Sequence, residues 1–219
     1  MPRRHLLLMR YVLLNVVGAG GLVAAYFQGW VGLVLRSDVT NFCVGIFIVF
    51  LCGLALCSYH VTGISRRLLL AETLLSLDPS AREPRLPPGS DLARYLARAR
   101  GLDSGARSNL AAALQHGLGH RIGHVRYLAN SLVVLGLIGT VVGFIIALSG
   151  VDPKIATDPQ SVSPMIATLI EGMSVALYTT LVGAVLSVWL GACYQMLATG
   201  AGNLFTLLVD LAEPTTSAS

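Results

Sequence analysis

Residues 127–151 read YLANSLVVLGLIGTVVGFIIALSGV, a run with no Asp, Glu, Lys or Arg. As a helix this run exceeds the roughly 20 residues needed to cross a hydrocarbon core about 30 Å thick. Three other charge-free gaps are at least as long: Tyr11 to Leu35, Val39 to Ser65 and Gly172 to Val209. The whole chain of 219 residues is 54% hydrophobic and only 12% charged, outside the range of a soluble domain. A β-barrel is excluded, because its strands would be about 10 residues long and alternate in polarity. A water-soluble enzyme is excluded by the same composition.

The net charge of +4 matters less than its distribution. Arg3, Arg4 and Arg10 precede the first gap, and ten more arginines, from Arg66 to Arg126, lie between the second and third. Only Arg36 and Lys154 fall in the two short loops on the other side. This asymmetry places both termini and the central loop in the cytoplasm. The arginines then serve topology, and no nucleic-acid partner is needed to explain them. The first apolar run is too long for the 7 to 15 residues of a signal-peptide core and reads as a retained span. Cys43, Cys52, Cys57 and Cys193 all lie in spans without CxxC spacing, so they read as packing residues and not as a disulfide framework or zinc site.

The expected fold is all-α and polytopic, with four transmembrane helices, the last two extended into the cytoplasm. Residues 1–65 form an N-terminal hairpin with spans at about 11–35 and 41–65. Residues 66–126 form a cytoplasmic helical loop whose Pro79, Pro84, Pro87 and Pro88 mark a linker at 78–90, followed by a short helix from Asp91 to Arg100. Residues 127–199 hold two more spans, at about 127–150 and 164–195, with Pro164 suited to a first helical turn. Residues 200–219 form a cytoplasmic tail, disordered from Pro214. From Ser104 to Ser149 one helix about 70 Å long is predicted, with Ile122, Val125, Ala129, Gly136, Thr140, Gly143 and Ala147 on one side.

Two hydroxyls stand out in those last spans. Around Thr180 lie Ala176, Gly183, Ala184, Ser187 and Gly191, while Val175, Tyr178, Val182, Val185 and Trp189 form a bulky opposite face. Thr140 sits likewise among Gly136, Gly143 and Ala147, and Gly139-x-x-x-Gly143 is a close-contact spacing. Small faces carrying mid-membrane hydroxyls can pack closely and leave a polar spot at the seam. A membrane Thr can also simply bond back to the carbonyl one turn earlier, and the residues alone leave both readings open.

The run Leu135-Gly136-Leu137-Ile138-Gly139-Thr140-Val141-Val142-Gly143 resembles the signature of the MotA/TolQ/ExbB family of ion-channel subunits. Gly172-Met173-Ser174-Val175-Ala176-Leu177-Tyr178-Thr179-Thr180-Leu181-Val182-Gly183-Ala184 is similar to that family's last span. The resemblance implies a homo-oligomer of five copies around the membrane helices of two copies of a single-span MotB/TolR/ExbD-type partner. It implies that a partner Asp takes up and releases a proton or sodium ion. Thr140 and Thr180, with Thr179 beside them, would line that ion's route. Gly136, Gly139, Gly143, Ala176, Gly183, Ala184 and Ser187 would be helix-packing positions. ExbB and TolQ proteins often carry Glu where this chain has Val175. Its own intramembrane acid is Glu171, which either substitutes at the outer mouth of the ion path or reaches solvent at the interface. Four spans with the pore helices last resemble MotA more than the three-span ExbB and TolQ, although the cytoplasmic loop is shorter than that of flagellar stators.

The implied function is that of an ion-channel subunit in an ion-motive-force-driven motor, with no covalent catalysis, no cofactor and no resident metal. An ExbB/TolQ-like energiser of outer-membrane processes is the alternative within that class. His116, His120 and His124 recur at i, i+4 and i+8, a spacing that can hold a metal, which makes a membrane metalloenzyme the rival from another class. Di-iron membrane enzymes use several separated boxes and more histidines than the five here. The stripe is centred about 160° from Thr140 around the helix, so it reads as a solvated face of the cytoplasmic extension.

Overall fold

Long apolar segments without Pro or charge leave the backbone no partner but itself, and the described residues are helical almost throughout. In the computed structural model the described residues are 3–38, 41–75, 104–151 and 159–212. The elements in order are α1 (Arg3–Phe27), α2 (Trp30–Ser37), α3 (Phe42–Leu75), α4 (Ser104–Ser149) and α5 (Pro159–Ala212), with no strand among the described residues. The linker at 78–90, the short helix at 91–100 and the tail from 214 lie outside the described residues.

Among the described residues four stretches are long and apolar enough to cross a membrane: Leu7–Phe27, Phe42–Leu70, Ile122–Ser149 and Val162–Val209. The protein is thus an all-helical, multi-pass membrane protein. α4 has 46 residues and α5 has 54, about 70 and 80 Å at 1.5 Å per residue, each more than twice a bilayer core.

Three boundaries differ from the sequence expectation. The first span does not run on to residue 35. It stops at Phe27, Gly29 adopts the left-handed conformation (φ 79°), and α2 starts afresh at Trp30. Glycine accepts that conformation without a Cβ clash, which makes it a cheap place for a helix to change direction. The last helix begins at Pro159, so Pro164 lies inside it and not in its first turn. A proline there removes one backbone donor from the helix. At the other end α5 continues through 200–212, where a tail was expected, because residues 196–209 stay uncharged and keep an apolar face for packing.

The chain divides into two units, and α1, α3, α4 and α5 each contribute to both. The first comprises Met1–Val12, Cys57–His124 and Tyr194–Ser219. Its core is built from Leu7, Val61, Ile64, Leu68, Leu197 and Leu204, all buried. A Cβ on Gly200 would collide with the Leu7 side chain, so the glycine is what admits that leucine. Tyr11 and Ser58 share a hydroxyl–hydroxyl bond of 2.6 Å in this unit.

The second unit comprises Leu13–Leu56 and Val125–Cys193. Its core includes Ile46, Phe50, Val125, Leu132, Val175, Leu186 and Leu190. The indole of Trp189 sits where a Cβ on Gly18 would be, and its ring lies 5.1 Å from that of Phe50. Asp38 closes the start of α3, accepting the Phe42 and Cys43 backbone N–H groups at 3.0 and 2.7 Å. Those are donors that a helix cannot satisfy within itself. Cys43, Cys57 and Cys193 are buried and Cys52 is exposed.

Candidate functional site: a hydroxyl pair at a glycine seam

Within the second unit α4 and α5 meet along a line of small residues. A Cβ on Gly143 would stand 2.5 Å from the Ala176 nitrogen and 2.6 Å from the Gly172 carbonyl oxygen. One on Gly183 would stand 2.7 Å from the Leu132 carbonyl oxygen. Gly136 faces the Thr179 carbonyl and the Thr180 Cα, and Gly139 faces the Thr179 side chain. At Gly143 and Gly183 the two backbones approach so closely that a Cβ would meet backbone, and at Gly139 the Thr179 side chain takes the space between the helices. In a membrane, where water adds no hydrophobic drive, such close packing is a main source of helix association. Ser187 completes the seam by donating to the Ala129 carbonyl at 2.8 Å.

Close approach lets groups on different helices bond. Thr140 Oγ1 on α4 and Thr180 Oγ1 on α5 are hydrogen-bonded to each other. The Gly136 carbonyl lies 3.1 Å from the first and 3.2 Å from the second. Three oxygens thus converge, with only two hydroxyl protons among them. One hydroxyl donates to the carbonyl and the other donates to the first hydroxyl, and the order can reverse by rotating two O–H bonds. The hydroxyl that receives no proton from its fellow keeps its lone pairs for an outside donor.

The pair opens sideways. Thr180 is exposed and Thr140 half-buried, and around them Leu137, Val141, Leu177 and Leu181 are exposed as well. The result is a small polar spot in an apolar surface on helices of membrane-crossing length.

The other sequence-selected residues distribute unequally. Thr179 is 0% exposed, and its hydroxyl is used on its own helix, donating to the Val175 and Ala176 carbonyls at 2.9 and 3.1 Å. It belongs to the seam, away from the open pair. The seam on α5 is therefore turned toward Thr179, about 100° from Thr180, and Ala184 falls outside it and is exposed. Gly191 has no neighbour within 4 Å of a would-be Cβ. Glu171 is exposed, roughly 13 Å along α5 from Thr180 and about 180° around it, so these two do not share a face. Val175, at 1% exposure, is inside the second unit. His116, His120 and His124 are exposed along α4 in the first unit.

Two contributors escaped the side-chain reading. The Gly136 carbonyl is a backbone oxygen and carries no residue signature. Gly172 packs against Ala147 and Gly143. The spacing Gly172-x-x-x-Ala176 was its available signal.

Residues 104–208, which hold nearly all of α4 and α5, match the model of the MotA/TolQ/ExbB proton channel family. Comparison with curated proteins found no match, and neither did comparison with solved structures.

Proposed function

We propose, from the match of residues 104–208 to the MotA/TolQ/ExbB proton channel family, that this chain is the ion-channel subunit of an ion-motive-force-driven motor in the bacterial inner membrane. The family is one of channels and not of enzymes. In this reading the chain performs no covalent chemistry and needs no cofactor, the transported proton or sodium ion being its substrate. Both termini and the 66–126 loop face the cytoplasm, which the arginine distribution supports. Five copies surround the membrane helices of two single-span MotB/TolR/ExbD-type partners.

The observation that carries the reading is the convergence of Thr140 Oγ1, Thr180 Oγ1 and the Gly136 carbonyl on a laterally open face. An ion cannot cross hydrocarbon bare and needs oxygens to replace water at mid-depth. Thr180 can donate to an ionised partner carboxylate while Thr140 donates to Thr180. When the carboxyl is protonated, Thr180 can accept from it and pass its own proton toward Thr140. The pair thereby matches both charge states of an acid that loads and releases an ion. Thr179 supports this arrangement through packing, and Glu171 acts near the outer mouth on a different face of α5.

The test is ion uptake by vesicles holding the complex of this chain with its single-span partner. Thr180→Val keeps the shape and removes the hydroxyl, whereas Thr180→Ser keeps the hydroxyl. We expect uptake below about a tenth of wild type for Val and most of it for Ser, at equal complex yield. Wild-type uptake by the Val variant would sink the reading.

A further inference from the structure

His116, His120 and His124 take no part in the ion path proposed above. All three are exposed on a continuous stretch of α4 in the first unit. The rings of His120 and His124 stand edge to face, with centroids 5.7 Å apart and planes at 70°. Neither ring is held by a hydrogen bond or ion pair to another described residue. Exposed rings one turn apart on a helix can turn toward a common point in solvent.

We propose that this stripe binds one exchangeable divalent cation of the borderline class, Zn2+, Ni2+ or Cu2+, chelated by His120 together with either His124 or His116. Residues four apart on a helix are neighbours, with Cβ atoms about 5–6 Å apart. Two imidazoles at that spacing can each reach a metal at about 2.0–2.1 Å. His116 and His124 are about 12 Å apart along the axis, so no single ion takes all three. His120 is common to both possible chelates, which limits the stripe to one ion per chain.

The donor set fixes the class and the strength. Imidazole nitrogens favour Cu2+, Ni2+ and Zn2+, whereas Mg2+ and Ca2+ demand oxygen ligands. Among the described residues no group of three His, Cys, Asp or Glu side chains comes together. Water then fills the remaining coordination positions, and the site is open and exchangeable, unlike a closed structural zinc centre. A chelate between His120 and His124 ties residues 120–124 into helical geometry where the membrane-length part of α4 begins, at Ile122. The cation is thus a ligand that stiffens the helical extension, separate from the transported ion.

The experiment is titration of the full-length chain, purified in detergent without a polyhistidine tag, with Ni2+ by calorimetry and with Cu2+ by electron paramagnetic resonance. His5 and His60 stay unchanged in every variant. We expect one ion per chain and nitrogen hyperfine structure from two imidazoles. His120→Gln should weaken binding at least about tenfold, while His116→Gln and His124→Gln each leave one chelate and weaken it only about twofold. Unaltered helicity by circular dichroism shows that these exposed variants fold. No saturable one-to-one binding, or an equal effect of all three substitutions, or none from His120→Gln, would overturn the proposal.

Discussion

Thr140 and Thr180, forty positions apart in the chain, are hydrogen-bonded to each other through their hydroxyls, and the Gly136 carbonyl lies within reach of both. Their neighbour Thr179 is turned into the seam and bonds only to its own helix. Two adjacent threonines on α5 thus have different work, and mutation can separate them.

Thr140→Val should reduce ion uptake as Thr180→Val does, since either change breaks the three-oxygen cluster. Thr179→Val should keep most of the activity, because its hydroxyl faces no open surface. A membrane hydrogen bond is worth only about 0.6 kcal/mol on average, so none of these variants should fail to assemble. Uptake normalised to purified complex is the measurement. Loss of activity in Thr179→Val at normal assembly would put the ion path on the buried side of α5.

Gly143→Ala and Gly172→Ala should each destabilise the protein by about 1–3 kcal/mol, because a methyl group there meets backbone and backbone cannot step aside. Gly20→Ala and Gly45→Ala meet nothing within 4 Å and should be neutral or slightly stabilising, by up to about 1 kcal/mol from helix propensity. Thermal unfolding in one detergent, compared across the four variants, checks the contrast.

Asp38→Ala removes the side chain that accepts the Phe42 and Cys43 N–H groups at the start of α3. The expected cost is about 1 kcal/mol, with Asp38→Asn losing less because it retains an acceptor. Hydrogen exchange at the first turn of α3 should speed up in the Ala variant before any global change in stability.

Native mass spectrometry in mild detergent should find the chain as a homo-oligomer, with five copies the expected number. Leu137, Val141, Leu177 and Leu181 are exposed around the hydroxyl pair, and a polar spot of this kind is useful only if a neighbour encloses it. A strictly monomeric chain would contradict the proposed assembly.

Replacing His116, His120 and His124 together with Gln should leave ion uptake within about twofold of wild type in chelator-treated buffer, because the stripe lies outside the proposed path. Parallel assays with and without chelator distinguish this from a metal requirement for transport.

The four membrane-length helices were legible in the sequence because apolar runs between charges have few alternatives in hydrocarbon, where the backbone must bond to itself. The small residues at Gly136, Gly139, Gly143, Ala176 and Gly183 were legible as contact positions, since glycine and alanine on one face of an apolar helix permit close approach. The end of the first span at Phe27 was not, because a glycine such as Gly29 is equally at home inside a membrane helix and at its break. Nor could periodicity tell Thr179 from Thr180: residues 100° apart on a helix both border a small face, and which one turns inward depends on how the partner helix crosses. Only the tertiary structure decided that Thr180 meets Thr140 and that Gly136 lends its carbonyl to both. Those are relations between segments distant along the chain, set by the packing of two backbones against each other, and no local pattern encodes them.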